Sequence, residues 1–408
     1  MYKFKIKYDI LSKNKKRGKK MKLNTKKFMR NIIICLIAWI VVSFILNYAP
    51  GFERDKYEGV TNLIINDEDV TENLTGRVYI GGEGGVYLSI DDIAKTFDKN
   101  IYYDIETSSI ITTSNTKTAS FNVAENQVSI NGVKQNLNSK VIQIDDVIYI
   151  PISELELVYN IEVNYIGETD VVVIEKLNQG LIKANVEEEA KLKYKPRLIS
   201  KKVGEVKVGE TVSCYYTTSK GWRLIRKEDG TLGYVKANVL ANEYIVRQDF
   251  DDTIETKEIN LNMRDGSSFS LYNDEQVNTK ITIKTLFNFG TNGTIGINQD
   301  DFESGDSIVW ATISNKGLEK QTNEIIKNYK TRTDLIDTLV NYISKYRVRG
   351  INIDFQDATE QEGFARFIIE LTPRLRELGI TTNIILNDSF DETNFIGIVD
   401  FLITEKGE

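Results

Sequence analysis

The run 350–356 holds the best candidates for chemistry in this sequence, because three polar side chains follow one another there at every second position. They are Asn352, Asp354 and Gln356, and Asp354 is the one carboxylic acid among them. A glutamine amide has no acidic proton to transfer at neutral pH, so Gln356 cannot act as a general acid. The run therefore predicts a site that hydrogen-bonds a polar ligand better than it moves protons.

The run lies within residues 245–408, where predicted strands alternate with predicted helices. This alternation favours parallel α/β packing, in which functional side chains gather at the carboxyl ends of the strands. Predicted strands cover residues 280–289, 307–313, 350–356, 381–386 and 398–403, and predicted helices cover residues 333–345 and 361–378.

Residues 245–408 resemble glycoside hydrolase family 18, whose signature D-x-x-D-x-D-x-E ends the fourth strand of a TIM barrel. Arg349 and Asn352 stand where the first two Asp residues would be, Asp354 matches the third, and Gln356 occupies the place of the catalytic Glu. The wording G-I-N-I-D-F-Q is close to the G-I-N-I-D-F-E of spore and cell-wall members that act on peptidoglycan-type substrates. The resemblance implies that Asp354 orients the N-acetyl group of the substrate and that the proton donor is missing.

The predicted barrel is also incomplete. A TIM barrel needs about 250 residues, whereas 164 remain from residue 245 onward. We expect a truncated, TIM-barrel-like domain that a partner chain would complete, or that belongs to a truncated gene. Asp357 and Glu360 could supply a proton from a shifted register, although acids are ordinary at the start of a helix.

Aromatic side chains near the run could form the floor of a sugar subsite. Trp310 is the best candidate for stacking on a sugar ring, and Phe355 is a second candidate. The competing interpretation is that both belong to the hydrophobic core, as strand aromatics usually do.

Residues 180–242 have short predicted strands and polar turns, and they resemble a bacterial SH3-like module. The resemblance rests on Gly-Trp at 221–222, the hairpin signal Asp-Gly at 229–230 and Gly-Tyr-Val at 233–235. It implies a small all-β barrel, and modules of this type often bind cell-wall peptides. Trp222 and Tyr234 could line the binding groove or simply fill the core of the barrel.

Residues 60–178 contain an internal repeat with a spacing of 62 residues, in which the run 86–90 matches the run 148–152. Each copy predicts two strands, a short helix and a hairpin. This pattern resembles the copper amine oxidase N-terminal-like domain of bacterial surface proteins, whose name implies neither copper nor oxidase activity. The resemblance implies an α+β stalk that acts as a spacer, with glycan binding as the alternative.

The N-terminus predicts a membrane anchor at residues 31–49. The first 30 residues carry 13 Lys and Arg against a single acid, and the stretch 31–52 has no charge. About 20 apolar residues can span a bilayer, and the positive-inside rule assigns the tail 1–30 to the cytosol and the remainder to the outside. A cleaved signal peptide is the rival interpretation, but no small-x-small cleavage site follows.

Composition narrows the functions that the outer region can have. The chain has a net charge of −7, which leaves −19 beyond the basic tail and argues against nucleic acid as a partner. The absence of His excludes His-based catalytic triads and His-ligated metals, and the sequence predicts no cofactor or metal site. Of the two cysteines, Cys35 lies in the predicted span, so no intrachain disulfide framework is expected.

The sequence therefore predicts a multidomain membrane protein that binds cell-wall glycan through a degenerate hydrolase-like domain. An active N-acetylglucosaminidase and an envelope scaffold that binds another protein are the two alternatives. The sequence does not predict the oligomeric state.

Overall fold

A computed structural model of the chain describes residues 27–44, 60–82, 85–261, 268–272, 278–290, 295–297, 308–346, 348–355, 359–386 and 390–405. The chain divides into two units, Met1–Val60 with Leu181–Val246, and Thr61–Gly180 with Arg247–Glu408. The second unit therefore joins two regions that the sequence analysis treats as separate domains.

The predicted membrane span corresponds to helix α1, Lys27–Phe44. Its 18 residues extend for roughly 27 Å at 1.5 Å per residue, close to the thickness of a hydrocarbon core. The helix is long and apolar enough to be a membrane span or a signal sequence. It begins four residues before the predicted start, and residues 45–49 lie outside the described residues.

Region 61–180 consists of short strands and two helical segments, and the repeat is visible in its topology. In the first copy strand β4 leads into helix α2 and the hairpin β5–β6, and in the second copy β11 leads into α3 and the hairpin β12–β13. The bounds are β1 Asn62–Ile65, β2 Glu68–Asp69, β3 Tyr79–Ile80, β4 Val86–Ser89, α2 Ile90–Thr96, β5 Tyr102–Asp104, β6 Ser109–Thr113, β7 Thr118–Asn122, β8 Gln127–Ile130, β9 Val133–Asn136, β10 Ile142–Ile144, β11 Val147–Pro151, α3 Ile152–Leu155, β12 Ile161–Ile166 and β13 Val171–Lys176.

The two copies meet where β4 and β11 pair antiparallel, with Leu88 opposite Ile150. Both of these side chains are fully buried in one core that serves the whole region. The strands form sheets in the orders β12-β13-β1-β2, β10-β11-β4-β3 and β5-β6-β7-β8-β9.

Residues 181–246 form a single sheet of seven strands in the order β16-β15-β19-β18-β17-β14-β20. Its core contains Ile225 and Val235 from neighbouring strands, both almost completely buried. The bounds are β14 Leu181–Val186, β15 Ala190–Lys193, β16 Lys202–Val206, β17 Thr211–Thr217, β18 Trp222–Arg226, β19 Leu232–Lys236 and β20 Leu240–Arg247.

The C-terminal region is an α/β layer in which strands β21, β28, β27, β26, β25 and β23 lie side by side and parallel. Strands β22 and β24 pair antiparallel with β23. The first parallel strand, β21, thus pairs with the last, β28. The bounds are β21 Lys257–Leu261, β22 Ser268–Tyr272, β23 Asn278–Phe289, β24 Ile295–Ile297, β25 Ile308–Ser314, α4 Glu319–Lys327, α5 Tyr329–Ile343, β26 Gly350–Asp354, α6 Gln361–Glu377, β27 Thr381–Ile385 and β28 Phe401–Glu405, and short 3-10 helices cover Thr71–Asn73, Ala237–Val239 and Glu392–Asn394.

The predicted alternation of strands and helices is present, with one shifted helix start. The sequence analysis places the beginning of α5 at Thr333, whereas the helix begins four residues earlier. The side chain of Asn328 caps it by accepting hydrogen bonds from the backbone N–H groups of Lys330 and Thr331, at 3.0 and 3.3 Å. Helix α4 was not predicted.

Gly350 is the first residue of β26, and its missing side chain leaves space for the ring of Trp310 on the neighbouring strand β25. A Cβ atom at position 350 would lie 2.6 Å from Cδ1 of Trp310 and 2.5 Å from Oγ1 of Thr381. We expect Gly350→Ala to cost about 1–3 kcal/mol in the free energy of unfolding, because this space is already filled. Thermal unfolding of the variant measures the cost. Gly167→Ala is the control, since its nearest neighbour would be 3.9 Å away, and equal stability of the two variants would contradict this packing.

Candidate functional site

Strand β26 presents alternate side chains to two different environments. Ile351 and Ile353 lie fully buried in the core between the sheet and the helices. Because side chains alternate across a strand, Asn352 and Asp354 project to the opposite, inner face of the sheet. Trp310, on the neighbouring strand β25, belongs to the small apolar cluster on that inner face.

A row of neutral polar side chains crosses the middle of the inner face. In the strand register Thr312 lies beside Asn352, which in turn lies beside Asn383. The amide nitrogen Nδ2 of Asn352 donates to Oγ1 of Thr312 at 3.2 Å, and Nδ2 of Asn383 donates to Oδ1 of Asn352 at 2.8 Å. All three side chains are at most 1% exposed. We refer to them as the amide row.

One hydrogen-bond acceptor of the amide row receives no hydrogen bond from the described residues. Oδ1 of Asn383 is buried and has no hydrogen-bond partner among the residues that the structure describes. An unsatisfied buried acceptor costs about 1–3 kcal/mol, so this atom has an energetic preference for a donor from water or a ligand.

Asp354 is the last residue of strand β26. It lies two residues beyond Asn352 on the same face of the sheet, and Ser314 is opposite it in the register. Asp354 is 5% exposed, and its backbone carbonyl accepts a hydrogen bond from the N–H of Asn315 at 3.4 Å. Gln356 and Asp357 lie outside the described residues. Glu360 is the residue immediately before helix α6, which is where acids are ordinarily found.

The two aromatic candidates lie on opposite faces of the sheet. Trp310 is 3% exposed and contacts Phe401, with 4.9 Å between the ring centroids. Phe355 is 1% exposed and stacks on Phe367 of helix α6. A sugar could stack on either ring only after that ring had left its core, so the structure favours the core interpretation for both.

Trp222 and Tyr234, the candidates in residues 181–246, share one face of their sheet. Tyr234 lies opposite Leu224 in the register, two residues along from Trp222. Trp222 is 5% exposed, and Nζ of Lys236 lies 4.7 Å from its ring centroid. The hydroxyl groups of Tyr216 and Tyr234 are hydrogen-bonded, and Tyr216 is half exposed. Tyr216 was not among the predicted binding residues.

Region 61–180 contacts the helices of the C-terminal region through a buried charged cluster that the sequence analysis did not predict. Arg332 of α5 donates through Nε and Nη2 to the two carboxylate oxygens of Glu370 of α6, at 3.0 and 2.9 Å. The hydroxyl of Tyr102 donates to Oε1 of Glu370 at 2.8 Å and accepts from Nη2 of Arg332 at 2.6 Å. Burial and then the Glu370 charge raise the pKa of Tyr102, so its hydroxyl keeps its proton.

The sheet of region 61–180 also packs on helix α6. Thr118 of β7 donates from Oγ1 to the backbone carbonyl of Glu370 at 2.7 Å. The guanidinium of Arg366 also lies 3.7 Å from the ring centroid of Tyr102. Region 61–180 is therefore a structural partner of the C-terminal region.

The groups that could bind metal or act as nucleophiles are few. Within the part of the chain that the structure describes, no three His, Cys, Asp or Glu side chains cluster as metal ligands would. Cys214 is buried in the core of its sheet, and burial raises the pKa of its thiol to about 11. The thiol is therefore protonated near neutral pH.

Comparisons with known proteins agree with one of the resemblances above. Residues 64–174 match the family described as copper amine oxidase N-terminal domain, which confirms the prediction for that region. No curated protein sequence matches the chain.

Three solved structures are similar to part of the chain. The chain is 20% identical to ydhD from Bacillus subtilis, described as a sporulation-specific glycosylase, over 33% of this chain and 52% of that one, with a TM-score of 0.30. It is 16% identical to a chitinase from Chromobacterium violaceum, over 30% and 47% of the two chains, with a TM-score of 0.27. It is 15% identical to the Bacillus cereus spore cortex-lytic enzyme SleL, over 44% and 45%, with a TM-score of 0.28. The chain thus covers about half of each of these proteins.

Proposed function

We propose that this chain is a membrane-anchored surface protein that binds the N-acetylhexosamine glycan of the cell wall without cleaving it. The observation that carries the proposal is the order of side chains along the inner face of β26. Asn352 is neutral and hydrogen-bonded to Thr312 and Asn383, and Asp354 follows on the same face at the end of the strand. The proposal interprets residues 245–408 as a degenerate, family 18-like domain whose inner face has kept its ligand-binding character.

The chemistry of the amide row supports binding over hydrolysis. Glycoside hydrolysis requires a proton donor at the leaving oxygen. The hydroxyl and amide groups of Thr312, Asn352 and Asn383 have no acidic proton at neutral pH, and they hydrogen-bond one another. Gln356, the residue at the acid position of the signature, is also an amide.

Asp354 has the remaining role that the proposal needs, which is to recognise the acetamide group. A carboxylate accepts hydrogen bonds but does not donate them, and the acetamide N–H of an N-acetylhexosamine is such a donor. Hydrogen bonds to a charged acceptor contribute about 1.5–3 kcal/mol. This one side chain would therefore distinguish N-acetylated sugars from plain ones.

The other parts of the chain would bring this site to the wall. Helix α1 would anchor the chain, with residues 1–30 in the cytosol, because the basic residues precede the apolar segment. Residues 180–242, interpreted as an SH3-like module, would add a second wall contact through Tyr234 and the half-exposed Tyr216, whereas the ring of Trp222 is buried. Wall glycan is then the partner, with no cofactor and no nucleic acid.

The proposal is tested by sedimentation of the full-length chain, in detergent micelles, with purified peptidoglycan sacculi. We expect Asp354→Asn to lower the affinity by roughly tenfold or more, because the acetamide loses its charged acceptor. Asp334→Asn is the matched control, since Asp334 is exposed on α5. Equal sedimentation of the two variants would show that Asp354 does not contact the glycan, and no sedimentation of the parent chain would refute the proposal.

A further inference from the structure

The five-stranded sheet β5–β9 has one polar face. Its alternating polar residues are typical of a face that is exposed to solvent. Along β7, Ala119 and Phe121 are completely buried in the core of region 61–180. The alternate residues Thr118, Ser120 and Asn122 therefore project from the opposite face.

The register extends this polar face over the neighbouring strands. Ser120 lies opposite Ser129, and Asn122 lies between Ser109 and Gln127. Most of the face consists of hydroxyl and amide groups, but Ile111 of β6 lies opposite Ser120 and Lys134 of the edge strand β9 lies opposite Ser129. A polar sheet face of this kind is ordinarily exposed to solvent, without helices packed on it.

Helices α5 and α6 nevertheless cover this face, and the cover leaves a cavity of about 260 Å³. We call it the sheet–helix cavity. Ser120 and Ser129 lie on its sheet side, Tyr329 and Thr333 of α5 and Arg374 of α6 lie on its helix side, and all five belong to the second unit. At about 30 Å³ per water, the volume equals that of eight or nine waters, and it is below the roughly 300–1,000 Å³ of pockets for drug-sized ligands.

Arg374 supplies an unused donor in the wall of this cavity. Its Nη1 donates to Oδ1 of Asp337 at 2.6 Å, yet its Nε is buried and has no hydrogen-bond partner among the described residues. The residue is 8% exposed, so bulk water does not readily satisfy this group. A buried guanidinium N–H without an acceptor is costly, so a rotation of the Arg374 side chain that turned Nε toward the cavity would be favoured once a ligand oxygen could accept from it.

The charges around the cavity favour a neutral ligand. Asp337 neutralises Arg374, and the carboxylate of Glu370 is paired with Arg332. Lys134 and Glu125 also line the cavity and carry opposite charges, so the lining as a whole has no excess of positive charge that would favour an anion such as a phosphate. A sugar ring suits the mixture of walls, because it has hydroxyl groups at its rim and C–H groups on its faces. The aromatic ring of Tyr329 and the aliphatic Ile336 provide apolar wall for such a face.

We propose that the sheet–helix cavity binds one neutral sugar ring, in addition to the glycan site proposed on the inner face of the C-terminal sheet. Hydroxyl and amide groups of β7 and β8 hydrogen-bond the sugar hydroxyls, and Nε of Arg374 donates to one of them. The site is assembled from both regions of the second unit, so sugar binding also depends on their packing.

The test is a titration of the full-length chain in detergent micelles with glucose, followed by saturation-transfer difference NMR. Glucose is the probe because it lacks the acetamide group on which the Asp354 site depends. Glucuronate, which is similar in size but negatively charged, is the comparison ligand. We expect glucose to bind in the millimolar range and more tightly than glucuronate.

Two variants localise the binding. Ser129→Leu fills the cavity and removes a hydroxyl group, and Arg374→Lys keeps the charge but removes the Nε donor. Each is expected to weaken glucose binding by about tenfold or more. Gln135→Leu is the matched control, because Gln135 is exposed on β9 of the same sheet and does not line the cavity. Thermal unfolding of each variant shows whether it is folded.

The possible outcomes separate this inference from the proposed function. Loss of glucose binding in both cavity variants, with binding retained in Gln135→Leu and Asp354→Asn, supports the cavity. Absence of glucose binding by the parent chain overturns the inference, as does unchanged binding in folded Ser129→Leu and Arg374→Lys. Binding that disappears only in Asp354→Asn also overturns it, while leaving the proposed wall-binding function intact.

Discussion

Replacing Glu370 with alanine is expected to lower the free energy of unfolding of the second unit by about 3–5 kcal/mol. The side chains of Arg332 and Glu370 are 1% and 3% exposed, so the substitution leaves a guanidinium buried without its counter-ion. The Tyr102 hydroxyl, which donates to the same carboxylate, also loses its acceptor. Urea denaturation followed by hydrogen exchange in peptides from α5 and α6 measures the loss.

Glu362→Ala is the matched control, because Glu362 forms an exposed ion pair with Arg366 on the same helix. Exposed pairs contribute about 0–1 kcal/mol, so this variant should be nearly as stable as the parent. The double replacement Arg332→Met with Glu370→Met should recover much of the stability, since removing both charges leaves neither one unpaired. A Glu370→Ala variant as stable as the control would contradict a buried cluster between the two regions.

The second large effect is expected from Asn352→Asp, which introduces a carboxylic acid into the amide row. The side chain is completely buried among neutral groups, so burial would raise the pKa of the new carboxyl above its usual value near 3.9. At neutral pH the substitution is expected to cost about 2–4 kcal/mol, because each unit of pKa shift corresponds to about 1.4 kcal/mol.

The direction of the pH dependence follows from that raised pKa. Below about pH 4 the carboxyl is protonated in both the folded and the unfolded chain, so the variant should approach the stability of the parent. As the pH rises, the unfolded chain ionises first and the variant loses stability. Asn341→Asp, on the exposed side of α5, should show no such dependence. Chemical denaturation at pH 4 and pH 7 distinguishes the two, and a pH-independent Asn352→Asp would show that position 352 is solvated.

The sequence predicted the C-terminal fold where the apolar pattern was regular. The stripe in helix α5 and the strand at 350–354 are both visible as periodicity, because burial on one side imposes the spacing. The start of α5 was predicted at Thr333, but the side chain of Asn328 caps the helix, which therefore begins at Tyr329. A single short polar side chain before a helix is a weak signal in the sequence.

The aromatic candidates show where local pattern is insufficient. Phe355 follows Ile351 and Ile353 at every second position, so its burial beside α6 could have been inferred from parity alone. The burial of Trp310 depends on Gly350 of the neighbouring strand, which leaves space for its ring. That relation needs the register between β25 and β26, and the sequence does not provide it.

The largest omission concerns the packing of region 61–180. Tyr102 and Glu370 are 268 residues apart in the chain, and neither residue stands out in its own segment. The polar alternation of β7 and β8 is typical of a solvent-exposed face. The packing of two helices on a hydroxyl-rich face cannot be recognised from the sequence periodicity of the strands or of the helices.

The central claim, binding of wall glycan without cleavage, is tested most directly by mass spectrometry of the material released from purified sacculi. The full-length chain in detergent micelles is incubated with sacculi beside Gln356→Glu, which restores the acid of the signature, and a protein-free sample. The account predicts that the parent chain sediments with the sacculi and releases no glycan fragments above the protein-free level. Fragments released by the parent chain and absent in Asp354→Asn would contradict the account, because they would show that a proton donor acts at this site.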